Sequence, residues 1–188
     1  MLLEQVEGFD SPNVNLEQYA TPALLAAEML HFAYMQGDLE GTVFDLGCGT
    51  GMLAIGAKIL GAEKVIGFDI DNKALEVARR NAEKLGVDVE FLHADIFEVE
   101  GHADTVVMNP PFGAQTKGND RPFLLSALKT SDVIYSIHNC GSHDFISKFI
   151  GDARITDWYS TAFPMKRTFK FHKKEVEMVK VEIYRIVR

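Results

Sequence analysis

The sequence is poor in cysteine. Two residues in 188, Cys48 and Cys140, stand far apart. That excludes a disulfide-stapled secreted scaffold and fits two free thiols in a reducing compartment. Long hydrophobic runs are missing too: none approaches the roughly 20 apolar residues that cross a bilayer. The first residues, Met1–Pro12, hold Glu4, Glu7 and Asp10 but no lysine or arginine. They match neither the basic start of a secretory signal nor a transit peptide, so the expected location is cytoplasmic. Internal repeats and low-complexity stretches are absent. What is present is an ordinary globular balance, 47% hydrophobic and 24% charged, which predicts one domain over residues 1–188 with a sizeable core.

A net charge of −8 argues at first against a nucleic-acid partner. The sum hides an asymmetry. Residues 151–188 carry nine basic and five acidic side chains, whereas residues 1–150 carry ten and 22. Lys166, Arg167, Lys170, Lys173 and Lys174 cluster in the basic part, with His172 among them. Phosphate contact needs local positive charge rather than a positive total. On charge alone, a phosphate-binding patch and a solvated surface fit equally well.

Thr21-Pro22 reads as a helix start, with Thr21 as N-cap and Leu24, Leu25, Met29, Leu30 and Phe32 as the apolar face. Thr42–Leu46, Val65–Asp69, Val87–Leu92 and Thr105–Met108 read as strands. Between the first three lie helices over Met52–Leu60 and Asn72–Leu85, stopped by Gly61 and Gly86. A helix near Phe123–Lys129, a strand Val133–His138 and a helix near His143–Ile150 follow, then two C-terminal strands around the basic segment. Alternating strands and helices predict a parallel sheet with right-handed crossovers. The expected fold is a three-layer α/β/α sandwich of Rossmann type. Its seven-stranded sheet is mostly parallel, with one antiparallel strand inserted by the final hairpin. Residues 1–38 form an N-terminal cap and helix over the ligand crevice.

Asp45–Gly51 reads DLGCGTG, between the first strand and the next helix. Gly47, Gly49 and Gly51 let the backbone turn sharply and approach a ligand. The loop falls where ligands bind in open α/β sheets. A dinucleotide fingerprint needs G-x-G-x-x-G, but here the run is G-x-G-x-G followed by bulky Met52. S-adenosyl-L-methionine (SAM) has no pyrophosphate to cradle and suits this loop better. Asp45 could hold its ammonium directly or through the loop. Asp69, ending the second strand, could accept both ribose hydroxyls, and Asp95 could accept from the adenine amino group, with Ile96 packed on the ring. Each acid alone could be a loop cap; three at the ends of successive strands point to a site.

Asn109-Pro110-Pro111-Phe112 ends the fourth strand beside that crevice. The two prolines stiffen the turn and offer carbonyls without N–H groups. An aromatic amine is a poor nucleophile because its lone pair is delocalised. Acceptors aimed at its N–H groups, Asn109 Oδ1 and the Pro110 carbonyl, would push the nitrogen towards a tetrahedral, more reactive form. Phe112 would stack on the base.

These residues resemble the class I methyltransferases and, within them, the archaeal and eukaryotic methyltransferase-like family of ribosomal RNA adenine-N6 methyltransferases. The resemblance runs through LEQYATP (Leu16–Pro22), DLGCGTGMLAIGA (Asp45–Ala57), GFDID (Gly67–Asp71), MNPPFG (Met108–Gly113) and FKFHKK (Phe169–Lys174). It implies SAM contacts at Gln18, Thr21, Gly47, Thr50, Met52, Asp69, Asp95 and Ile96, and a target adenine at Asn109–Phe112. It also implies RNA contact by Lys166, Arg167, Lys170, His172, Lys173 and Lys174. A further implication is a small zinc-binding activator subunit, added along the exposed edge strand Val87–Leu92. A self-sufficient monomer, its edge blunted by Asp88 and Glu90, fits that segment equally. Glutamine N5-methyltransferases use the same acceptor logic but tend to carry Tyr where this chain has Phe112. The same motifs would also serve DNA adenine methylation, or a SAM-binding module without catalysis. His138, Cys140 and His143 lack a fourth ligand for a structural zinc site, so no metal is expected. Trp158 and Tyr159 are expected to pack in the sheet.

Overall fold

The computed structural model describes residues 2–112, 118–166 and 176–188. Seven strands form one sheet: β1 (Thr42–Leu46), β2 (Lys64–Asp69), β3 (Glu90–His93), β4 (Ala103–Met108), β5 (Ser131–Asn139), β6 (Arg154–Lys166) and β7 (Val176–Val187). Their order is β3-β2-β1-β4-β5-β7-β6. The first five strands pair in parallel, and β7 inserts antiparallel between β5 and β6. This is the expected Rossmann-type sheet with its single reversed strand.

Side-chain alternation along the strands builds two cores, because successive residues point to opposite faces. Val43 and Val107 face one layer, made with Leu25, Met29, Leu30, Ile55 and Leu75 of α1 (Ala23–Met35), α2 (Met52–Ile59) and α3 (Asn72–Leu85). Phe44, Leu46, Val106 and Met108 face the other, with Leu124 and Ala127 of α4 (Arg121–Thr130) and Ile146 of α5 (His143–Phe149). Each fully buried Leu or Ile contributes about 1.5–3 kcal/mol. Across the sheet, Arg185 of β7 donates to Asp38, just beyond α1, through Nε at 2.8 Å and Nη2 at 3.2 Å. Tyr135 of β5 donates to the same carboxylate at 2.5 Å.

Local signals explain most helix ends. Asp71 caps α3 by accepting from Lys73 N at 2.9 Å, and Gly86 ends it with φ +65°. The start of α1 departs from expectation. Pro22, not Thr21, occupies the N-cap, and no side chain caps the helix. Strand β3 begins at Glu90 rather than Val87; Val87 and Val89 pack partly buried against the helical core instead of pairing. Trp158 of β6 packs on the sheet with its ring half-exposed, stacked at 13° on Tyr184 and tilted against His143. No helix among the described residues is long and apolar enough to cross a membrane.

The N-terminal segment packs on the helical layer and reaches the glycine loop, with Phe9 beside Gly49. Leu3 joins the core of α1 and α2. Asn81 of α3 then fastens the backbone: its Oδ1 accepts from Glu7 N at 2.9 Å, while Nδ2 donates to Glu7 O and Thr50 O, each at 3.0 Å.

Candidate active site

A cavity of about 310 Å³ opens at the carboxyl ends of β1, β2 and β4, the point where strand order reverses. Its floor is the glycine loop. Gly47 and Gly49 adopt φ +70° and +51°, values that favour glycine. A Cβ on Gly47 would lie 2.8 Å from the Phe123 ring, and one on Gly49 would lie 2.9 Å from Phe9. The loop is tied to β2: Gly47 N and Cys48 N both donate to Phe68 O at 2.9 Å, and Gly49 N donates to Asp69 Oδ2 at 2.8 Å.

The structure brings most of the expected cofactor residues together. Gln18, Thr21, Gly47, Gly49, Thr50, Met52, Asp69, Asp95 and Ile96 all line the cavity. Each Asp69 oxygen receives one backbone N–H, from Gly49 and Asp71. A carboxylate has about four acceptor sites, so Asp69 can still take a diol. Burial raises its pKa, against the backbone bonds that favour the anion. Asp95 caps a short turn at Ile96–Glu98 by accepting from Phe97 N at 3.0 Å. Gln18 is held at both ends, accepting from Asn13 N and donating to Asp71 Oδ2, each at 2.8 Å.

Asp45 stands apart from this group. It lies fully buried behind the loop and does not line the cavity. Oδ2 accepts from Ala54 N at 2.8 Å, Oδ1 has no partner, and burial pushes its pKa up to about 8. Of the two routes open from sequence, contact through the loop is the one this placement permits.

At the end of β4, Asn109 and Pro111 line the cavity, while Pro110 is buried outside its lining. Asn109 Nδ2 donates to Thr21 Oγ1 at 3.0 Å, across 88 residues of sequence. That bond fixes the amide, and Oδ1 is left buried without a hydrogen-bond partner. Phe112 does not line the cavity. Its ring packs against Tyr19 at 5.5 Å between centroids, tilted 47°, and Tyr19 takes its place in the wall. The Phe112 carbonyl accepts from Asn139 Nδ2 at 3.3 Å, which ties the turn to the last residue of β5, where the following loop begins. Glu182 steadies that loop by accepting from Gly141 N at 2.9 Å and Ser142 N at 3.1 Å.

Sequence reasoning missed several lining residues: Phe9, Tyr19, Cys48, Phe97, Asn119 and Phe123. Tyr19 lay inside the LEQY segment, the one signal that could have found it. Burial pushes the Cys48 thiol well up, so it lines the wall as a protonated apolar group. Lys166 ends β6, whereas Arg167, Lys170, His172, Lys173 and Lys174 lie outside the described residues. His138 is buried between Ser136 Oγ at 2.6 Å and Asp120 Oδ2 at 3.5 Å. Among the described residues, no cluster of three or more His, Cys, Asp or Glu side chains could hold a metal.

Comparison with known proteins gives a concordant picture. A family model described as the methyltransferase small domain matches residues 23–127. A protein of Methanocaldococcus jannaschii is 43% identical over 99% of this chain and 91% of its own. The rRNA N(6)-adenosine-methyltransferase of Drosophila melanogaster is 36% identical over 97% of this chain and 92% of its own. Among solved structures, a candidate RNA methyltransferase from Pyrococcus horikoshii is 42% identical, with a TM-score of 0.92 over 99% of this chain and 94% of that one.

Proposed function

The chain belongs to the methyltransferase small domain family, and we propose that it transfers a methyl group from SAM to N6 of an adenosine in RNA, with small-subunit ribosomal RNA as substrate. The observation that carries this reading is Asn109 Oδ1, a buried acceptor without a partner in the cavity wall. Leaving such an atom unpaired costs about 1–3 kcal/mol. A donor arriving with the substrate removes that cost, and an exocyclic amino group is such a donor.

The residues present fit SAM. Asp69 and Asp95 offer carboxylates along a cavity floored by glycines that admit close approach, and Gln18 is held rigid above them. When bound, SAM supplies a methyl group on positively charged sulfur. Asn109 Oδ1 accepts one N–H of the target amine, and the Pro110 carbonyl is our proposed acceptor for the second. Accepting both bonds concentrates the lone pair on nitrogen. Positioning and fixed dipoles are the main catalytic contributions. The leaving proton needs no strong base, because the methylated amine is acidic until it loses one.

RNA approach is assigned to Lys166, Arg167, Lys170, His172, Lys173 and Lys174. The site of action is assigned to the cytoplasm. A small activator subunit is assigned to β3, a four-residue edge strand carrying half-exposed Leu92; purification of a stable chain without any co-purifying protein would remove that part of the reading.

The test is incubation with methyl-labelled SAM and separate total RNA, DNA and protein fractions, followed by digestion. Label is expected on N6-methyladenosine from RNA. Label on glutamine, or on DNA alone, overturns the substrate class. Asn109→Ala should lower turnover by about 100-fold or more, in the range seen when one preorganised polar contact is lost, while SAM binding persists. Retained turnover in that variant overturns the mechanism.

A further inference from the structure

Two buried polar atoms of the cavity wall lack hydrogen-bond partners, and the mechanism uses only one of them. Asn109 Oδ1 is the first. The second is the Tyr19 hydroxyl. Three more such atoms occur among the described residues, on Asp45, Ser126 and Tyr159, and none of these residues lines the cavity. An unpartnered buried hydroxyl carries a desolvation cost in the free protein. A ligand that supplies the missing partner recovers it.

Tyr19 is held in place from several sides. Its ring leans on Phe112. On one side it adjoins Gln18, itself bonded to Asn13 and Asp71. Preceding that is Glu17, a non-glycine residue at φ +51°. Such a backbone persists only where its surroundings impose it. Burial pushes the phenol's ionisation far up and the Glu17 charge adds to this, while Asn109 alongside opposes it. The group is therefore a neutral O–H, able to donate. Tyr19 and Asn109 are neighbours: the Asn109 amide favours the phenolate, yet neither the phenol oxygen nor Asn109 Oδ1 has a partner in full hydrogen-bond geometry. One orphan donor thus stands beside one orphan acceptor.

We propose that Tyr19 is a substrate-contact residue that reads the target base: its hydroxyl donates to ring nitrogen N1 of adenine while Asn109 Oδ1 accepts from the adjoining amino group. The proposal rests on the methyl-transfer reading above and names how that site selects its base. Adenine presents an amino donor next to an unprotonated ring nitrogen. Guanine and uracil present the reverse, a carbonyl acceptor next to a ring N–H. In their case an acceptor would face Asn109 Oδ1 and a donor would face the Tyr19 hydroxyl. Sites built around specific hydrogen bonds reject such mismatches strongly, because the buried groups stay unpaired. Cytosine shares adenine's pattern but is one ring smaller, so the pair selects amino bases and the cavity's size must separate the two.

Tyr19→Phe removes only the hydroxyl and keeps the ring on Phe112. We expect kcat/KM for RNA to fall roughly tenfold or more, the equivalent of one hydrogen bond made in the complex. SAM affinity should stay within about twofold by calorimetry, and the thermal midpoint should hold or rise, because an unsatisfied buried group has gone. A merely structural tyrosine would instead lower the midpoint. A second arm uses a single-stranded RNA oligonucleotide in which the target adenosine is replaced by 1-deazaadenosine. That change should slow the wild-type protein by a similar factor and slow Tyr19→Phe no further. Wild-type rates in Tyr19→Phe, or an undiminished 1-deaza penalty in it, overturn the proposal. If Asn109→Ala abolishes transfer while Tyr19→Phe does not, only the role of Tyr19 fails. If both variants transfer normally, the methyl-transfer reading of the site fails with it.

Discussion

At the level of single side chains, burial decides what each acid of the glycine-loop region can do. Asp69 and Asp95 reach the cavity; Asp45, fully buried, cannot. Its carboxyl rises from an ordinary value of 3.8 to about 8 because burial penalises the anion, with the nearby Asp69 charge adding to the rise and the Ala54 N–H resisting it. The sign of the linkage follows. Below about pH 4 both folded and unfolded chains hold the proton, and the group is silent. Between about 4 and 8 the folded state holds a proton that the unfolded state has released, so stability falls as pH rises, by at most about 1.4 kcal/mol per pH unit. Above about 8 the loss is complete. Asp45→Asn keeps an acceptor for Ala54 N and cannot titrate. Its thermal midpoint should therefore exceed that of the wild type by a margin that widens from pH 5 to pH 8. Parallel curves for the two proteins across that span would refute the assignment.

At the level of elements, the glycine loop shows how closely conformation and contact can be joined at one residue. Gly47 combines φ +70° with a Phe123 carbon 2.8 Å from the place a Cβ would occupy. Gly61, at φ +107°, has open space around it. Gly47→Ala should then cost the left-handed strain, of order 1–2 kcal/mol, plus displacement of α4 through Phe123, and should weaken SAM binding; Gly61→Ala should bear the strain alone and bind SAM normally. Equal thermal shifts with intact SAM binding in both would remove Phe123 from the account. The same elements mark what was readable beforehand. Asp71 and Gly86 bracket α3 because capping is a local property, and β1 and β4 announced themselves by short apolar runs between turn residues. Thr21 read as a helix cap for the same local reason, yet its hydroxyl serves Asn109, 88 residues away. A contact of that range leaves no mark in either segment. Phe112 read as a stacking platform, but its ring packs on Tyr19, and Tyr19 rather than Phe112 lines the cavity. The pattern of Val87 and Val89 is that of a strand, but pairing with β2 starts only at Glu90, opposite Ile66, and the two valines pack against the helical core instead.

At the level of the whole molecule, charge is divided between an acidic body and a basic C-terminal part, and the topology places that division. Strand β7 is antiparallel to both β5 and β6, so β6 runs in the direction of β5. The segment that leaves β6 at Lys166 and enters β7 at Val176 therefore begins and ends on the side of the sheet where the cavity opens. That segment holds Arg167, Lys170, His172, Lys173 and Lys174, whereas residues 1–150 carry twelve more acidic than basic side chains. A polyanion nearing the cavity meets repulsion from most of the molecule and attraction from this one stretch. Such binding should be steeply salt-dependent, because neutralising each phosphate of a single strand releases counterions and contributes roughly 0.7 to the slope of log affinity against log salt. Replacing Lys173 and Lys174 together by alanine should weaken RNA affinity at low salt and reduce that slope by about 1.4 if both touch phosphate. Turnover on saturating RNA should change little if both lysines act in binding alone. Filter binding across a salt series decides it: an unchanged slope in the double variant would move the RNA path away from this hairpin, to a surface where the acidic body would have to be overcome by other means.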